Sequence, residues 1–234
     1  MFAKKKIKVS VCIPVCGTED SLEACLESVA VQEIYAEKQN NKSFLEIIVV
    51  DDISTDKTVS IAKSMNCRVI INKEHEGQMA GKNTGIREAK GNYWLTIDQD
   101  DKLVEGALKM LYDEMQKNPE YKIVMAQLKN FCSPDTPQQA KFVNPKPFSN
   151  ILTGSTLFKK EVFDIIGFFR ENTITGDVID LKDRLEKHNL SIHMANFITC
   201  KRRIHDSNYG ITNQHDEYKN YATILRERLK NKIK

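Results

Sequence analysis

The sequence predicts an α/β domain with a mainly parallel central sheet flanked by helices, and three observations carry that expectation. Continuous β-branched runs alternate with stretches of helical apolar spacing. Two of those runs end directly in aspartate clusters, Asp51-Asp52 and Asp98-Gln99-Asp100-Asp101. The composition, 41% hydrophobic and 29% charged over 234 residues, is that of a globular chain able to bury its own core.

Each element follows from local chemistry. Residues 7–15 form a strand-like run closed by Pro14-Val15-Cys16-Gly17, and a helix should follow, capped by Asp20 with Glu23 three residues on and Leu22, Cys25, Leu26 and Val29 on one face. A polar loop leads to a second buried strand over 45–50, after which Ser54-Thr55-Asp56 starts another helix. Residues 68–71 read as a short strand, 78–90 as a helix closed by Gly91, and 93–97 as a strand running into the second acidic cluster. Val104, Leu108, Leu111 and Met115 mark one more helix, stopped at Asn118-Pro119. In sheets of this kind ligands bind beyond the carboxyl ends of the strands, where both aspartate clusters fall.

The second half is less regular. Pro134, Pro137, Pro145 and Pro147 indicate a long loop over 132–147. Strand-like runs follow at 152–158 and 192–198, with a short helix ending near Gly167 and a longer one over 177–188. Residues 216–234 read as a closing basic helix.

The charge balance, +3, does not identify a nucleic-acid binder, and none is expected as a partner. Both termini are lysine-rich, which fits solvated tails, with peripheral contact to anionic lipid as the sharper alternative. Six cysteines without zinc-type spacing read as reduced thiols. No apolar run approaches the ~20 residues of a membrane span, so the expected location is cytoplasmic, with contact at the inner face of the membrane left open.

Asp98 and Asp100, two apart in an extended turn, can face one ligand together, and hard divalent cations prefer such carboxylates combined with substrate phosphates. Helix capping by Asp100-Asp101 is the plainer account of the same residues. Asp177, Asp180 and Asp183 share a helix face, which a solvated acidic surface also explains.

Taken in order, the residues carry a resemblance. Val9-Ser10-Val11-Cys12-Ile13-Pro14-Val15, Val49-Val50-Asp51-Asp52-Ile53-Ser54-Thr55-Asp56, Gly81-Lys82-Asn83-Thr84-Gly85 and Asp98-Gln99-Asp100-Asp101 resemble the family 2 glycosyltransferases of the GT-A fold. Gly154-Ser155, Gly167-Phe168-Phe169, Gly176-Asp177-Val178-Ile179-Asp180 and Arg203-Ile204-His205 continue the likeness over residues 8–208.

The resemblance implies a nucleotide-sugar-binding half over 1–130, an acceptor-binding half over 131–215 and a basic helix over 216–234. It implies inverting transfer of a hexosyl or N-acetylhexosaminyl group from a UDP-sugar to a saccharide, lipid-linked or peptide hydroxyl, with Mn²⁺ or Mg²⁺. Pro14, Val15, Cys16, Glu19, Asp52, Lys82, Asp98 and Gln99 would contact the nucleotide, Asp52 through the base. Asp100, Asp101 and His205 would hold the metal, Arg203 would meet a phosphate, and Asp177 would be the general base. This chain departs from the pattern at Cys16-Gly17, Ile53, Lys82 and Gly176. A nucleotidyltransferase-like enzyme and a catalytically silent nucleotide-sugar-binding module are the competing readings. Donor sugar, acceptor and oligomeric state are not legible in the sequence.

Overall fold

The computed structural model describes residues 8–38, 45–133, 137–171, 177–206 and 208. Eight strands form one sheet: β1 (Val9–Val15), β2 (Leu45–Asp51), β3 (Arg68–Ile71), β4 (Tyr93–Thr96), β5 (Lys102–Leu103), β6 (Ile123–Cys132), β7 (Thr156–Lys159) and β8 (Ile192–Ile204), in the order β3-β2-β1-β4-β7-β6-β8-β5. The first four pair in parallel, as the strand–helix alternation requires. Antiparallel pairing enters only in the second half, where β7 lies between β4 and β6 and β5 closes on β8. β6 and β8 run parallel, with register shifts near Gln127.

The sheet is covered on both faces. One face carries α1 (Glu19–Lys38), α2 (Thr58–Ser64) and α4 (Ala107–Lys117), whose Leu22, Leu26, Ala62, Leu108 and Leu111 join Val11, Ile13 and Val49 in one core cluster. The other carries α3 (Gln78–Glu88), α5 (Val162–Ile166) and α6 (Asp177–Lys187), which pack around Trp94. Trp94 meets the rings of Phe158, Phe163 and Phe169 at centroid distances of 5.9, 5.2 and 6.2 Å, so aromatic packing ties β4 to the second half.

α3 sits unusually close to β1. A Cβ at Gly81 would stand 3.0 Å from the Pro14 Cβ, and one at Gly85 would overlap the Cys12 side chain. These two glycines lie one turn apart and let the helix bring its N-terminal end to the strand ends. Asn83, buried on the same helix, donates to the Phe169 carbonyl and the Glu171 carboxylate and accepts the Phe169 N–H at 2.8 Å. That reciprocal pairing fastens Phe169 and Glu171 to α3.

Several expectations need correction. The first helix begins after Thr18, whose carbonyl accepts the Ser21 and Leu22 N–H groups, so Asp20 is inside the helix. Asp56 accepts the Thr58 and Glu19 N–H groups ahead of α2 rather than opening a helix itself. Residues 152–155 are not strand; the Asn150 carbonyl accepts the hydroxyls of Thr153, Ser155 and Thr156 and folds the segment into turns before β7. β6 and β5 were not anticipated, and β8 runs to Ile204 rather than ending near 198. The long loop over 132–147 contains a 3₁₀ segment, Pro137–Phe142. All six cysteines are free thiols. The helix expected over 216–234 lies outside the described residues, as do Lys4, Lys5, Lys6 and Gly176. Among the described residues no helix is long and apolar enough to cross a membrane.

Candidate active site

A cleft of about 970 Å³ opens beyond the carboxyl ends of the parallel strands. Its walls come from four places: Cys16, Gly17 and Thr18 after β1; His75 to Met79 and Lys82 at the entry of α3; Asp98 to Asp101 after β4; and Asn150, Leu152, Thr153, Glu171, Asp177, Val178, Arg202, His205 and Asn208 from the second half. The strand ends stay in register as they enter it. Asp52 N–H donates to the Val15 carbonyl, Asn72 N–H to Asp51 and Ile97 N–H to Cys12.

The acidic turn after β4 divides into two functions. Asp98 accepts the Gln78 side-chain amide at 2.8 Å and lies 4.0 Å from the buried ammonium of Lys82. Its pKa is raised: burial dominates, Lys82 opposes it, Asp100 and Asp177 add to it, and Arg202 opposes it. Asp100 points toward β8, where Oδ2 lies 2.6 Å from His205 Nε2. Asp101 is 1% exposed and accepts the Arg203 backbone N–H at 2.9 Å, with the Cys200 thiol beside its other oxygen. Burial, then Asp98 and Asp100, push the Asp101 carboxyl well above the ordinary range. Asp101 therefore anchors the turn to β8, and Asp100 with His205 is the donor pair presented to the cleft.

This donor set fits a hard or borderline divalent cation. Asp100 supplies oxygen, His205 supplies nitrogen, and Asp98 and Asp101 stand beside Asp100 on the same turn.

Asp52, expected to contact the base, is held by the loop that follows β3. Its Oδ1 accepts the Asn72 amide at 2.9 Å and the Glu76 N–H at 2.8 Å; its Oδ2 accepts the Gly77 N–H at 2.8 Å and meets His75 Nδ1 at 2.8 Å. Burial favours the neutral acid, but the bonds from Glu76, Asn72 and Gly77, with His75, outweigh it and hold the pKa below the ordinary value. Asp52 is thus the post around which residues 72–77 turn before α3.

Pro14, Val15, Glu19, Asp52 and Arg203 are not among the described residues that line the cleft. Pro14 and Val15 are buried in β1. Glu19 accepts the Lys57 N–H at 2.9 Å and joins the β1 loop to the β2 loop. The Arg203 guanidinium donates to Ser133 Oγ at 2.6 Å, and of the two arginines it is Arg202 that lines the cleft. Period-two alternation along β8 could have found it, since Arg202 shares a face with the buried Cys200 and Ile204. His75 and Gln78 were missed because they sit in a loop entry without a motif. Cys16, Lys82, Asp98, Gln99, Asp100, Asp101, His205 and Asp177 do reach the cleft.

Comparison with known proteins agrees with this geometry. The glycosyl transferase family 2 model matches residues 10–174. A poly(ribitol-phosphate) β-glucosyltransferase from Bacillus spizizenii is 29% identical over 178 residues, covering 72% of this chain and 27% of that protein. The chain spans 15 to 35% of the length of this and two similar curated relatives. S. aureus TarS 1–349 in complex with UDP-GlcNAc superposes with a TM-score of 0.69 at 18% identity, over 91% of this chain and 64% of that one. A mannosyltransferase from Pyrobaculum calidifontis in complex with GDP-Man and Mn²⁺ superposes with a TM-score of 0.63 at 17% identity, over 86% of this chain and 58% of that one. These structures show a shared GT-A fold, and with the family match they establish that this chain belongs to the family 2 glycosyltransferases.

Proposed function

We propose that the chain transfers a sugar from a UDP-sugar to an acceptor hydroxyl with inversion at the anomeric carbon. One observation carries the reading: Asp177 faces the same cleft as the Asp100–His205 pair, which itself joins the two halves of the fold. The carboxylate of Asp177 lies near enough to Asp98 to raise its pKa. A proton acceptor and a charge-neutralising centre on one cavity are the two parts that a single displacement needs.

Asp177 stands in the first turn of α6 and takes the proton of the acceptor hydroxyl as that oxygen bonds to the anomeric carbon. The bond from that carbon to the nucleoside diphosphate breaks on the opposite face. Mn²⁺ or Mg²⁺ held by Asp100 and His205 would act as a Lewis acid toward the departing diphosphate. Arg202 and Lys82 add fixed positive charge to the same cleft. Asp52 contributes through the loop it holds, which presents His75, Glu76 and Gln78 to the nucleotide.

The donor reading draws on TarS, a structural neighbour solved with UDP-GlcNAc. Relatives named for transfer to poly(ribitol-phosphate) and to an undecaprenol-linked glycan support a polymeric or lipid-linked acceptor. The test is UDP titration with and without Mn²⁺, followed by UDP release from a panel of UDP-sugars. Binding strengthened by Mn²⁺ and release abolished in Asp177→Asn but retained in the exposed control Asp164→Asn are the expected results. Absence of nucleotide binding would overturn the reading.

A further inference from the structure

A second donor cluster lies on the other rim of the cleft. Cys16 follows β1, Asp52 follows β2 and His75 follows β3, so the carboxyl ends of three adjacent parallel strands deliver a thiol, a carboxylate and an imidazole to one place. Their donor atoms all lie within 4.8 Å of one another. We propose that Cys16, Asp52 and His75 form a site for Zn²⁺, distinct from the Asp100–His205 centre, with a fourth coordination position open to the cleft.

The chemistry of the donors selects the ion. Thiolate with imidazole suits zinc, whereas Mg²⁺ takes oxygen ligands. Tetrahedral bonds of about 2.0–2.3 Å separate neighbouring ligand atoms by roughly 3.3–3.8 Å. The His75–Asp52 contact of 2.8 Å must therefore open slightly, and His75, 71% exposed, is free to move. Binding replaces the proton between His75 Nδ1 and Asp52 Oδ2 and the proton on Cys16 Sγ, releasing the thiol from the Asp52 carbonyl 3.3 Å away. Asp52 needs no rearrangement: the Gly77 N–H holds Oδ2 and leaves its other lone pair to the metal. The nearby Asp52, Asp51 and Asp56 carboxylates surround the thiol with negative charge, which favours a dication.

Cys16 and His75 line the cleft, so Zn²⁺ there antagonises nucleotide binding, a consequence that rests on the nucleotide reading above. The experiment uses the whole chain in excess Mg²⁺, which occupies the oxygen-rich centre, with Co²⁺ as the spectroscopic probe and Zn²⁺ as competitor. A sulfur-to-cobalt charge-transfer band is expected in the wild type, displaced by Zn²⁺ and absent from Cys16→Ser. His75→Gln should bind at least about tenfold more weakly, since loss of a direct ligand costs no less than loss of its supporting partner. Both side chains are solvent-accessible, and unchanged thermal melting of the metal-free variants verifies their folding. No band, or a band retained in Cys16→Ser, overturns the site. UDP affinity that falls on adding Zn²⁺ in the wild type but not in Cys16→Ser supports antagonism, and an unchanged affinity overturns it. Failure of UDP to bind under every condition counts against the function while leaving the cobalt result decisive for the site.

Discussion

His205 Nε2 lies 2.6 Å from Asp100 Oδ2, a contact that joins residues 105 apart in sequence across the cleft floor. The two side chains are 19% and 14% exposed, accessible to an ion yet held by their surroundings. Asp100→Ala removes the carboxylate a hard cation prefers, and sugar transfer is expected to fall by about 10²–10³ in kcat. His205→Ala leaves that carboxylate in place. Its loss should appear as a requirement for at least about tenfold more Mn²⁺, with rate recovered at saturating metal. A metal titration of UDP release separates the two outcomes.

Neighbouring arginines on β8 should behave oppositely. Arg202 faces the cleft, whereas Arg203 is bound to Ser133. Arg202→Ala is expected to weaken UDP binding by roughly 10–100-fold, the loss of about 1.5–3 kcal/mol for a charge-assisted bond. Arg203→Ala should leave UDP affinity within about threefold and lower the melting temperature, because Ser133 loses its partner. Calorimetric titration with UDP and a thermal melt of each variant check both halves.

Asp52 makes a pH-dependent contribution whose sign follows from its bonds. Its folded pKa lies below the unfolded value, so the stabilisation is complete above the ordinary carboxylate range and is lost as pH falls through the folded pKa. Asp52→Asn disrupts acceptance from Glu76 and Gly77 and should cost about 1–3 kcal/mol at neutral pH. The gap between wild type and variant should narrow in acid. Urea unfolding across pH measures it, and a gap that widened in acid would contradict the assignment.

These residues also show what a sequence can and cannot reveal. β1, β2 and β4 were legible because buried parallel strands are written as continuous apolar runs, and β2 and β4 deliver their acidic residues to the same sheet edge. β6 was not, since Met125-Ala126-Gln127-Leu128 has little β preference and becomes strand by pairing with β7 and β8. Asp100, Asp177 and His205 were found by motif order. The inward turn of Asp52 was hidden, because its donors arrive from residues 72–77 and depend on how that loop closes. Arg202 and Arg203 differ only in which side of a strand each takes, and the strand was expected to end before reaching them.

In the proposed mechanism Asp177 is the group on which transfer, as distinct from binding, depends. It opens α6, lines the cleft and acts electrostatically on Asp98. Nearby Asp180 is buried and engaged with Arg170 and Arg184 at 2.8 and 2.9 Å, so it is a structural carboxylate on the same helix. Asp177→Asn keeps the shape of the side chain and removes its basicity, so kcat should fall by about 10²–10⁴ while UDP affinity stays within about threefold. Asp180→Asn should instead lower the melting temperature by weakening two ion pairs, with residual activity following the folded fraction. Steady-state kinetics on an accepted donor, paired with UDP titration and melting curves, distinguish a base from a scaffold. Equal losses of kcat in both variants at full folding would remove Asp177 from its special place.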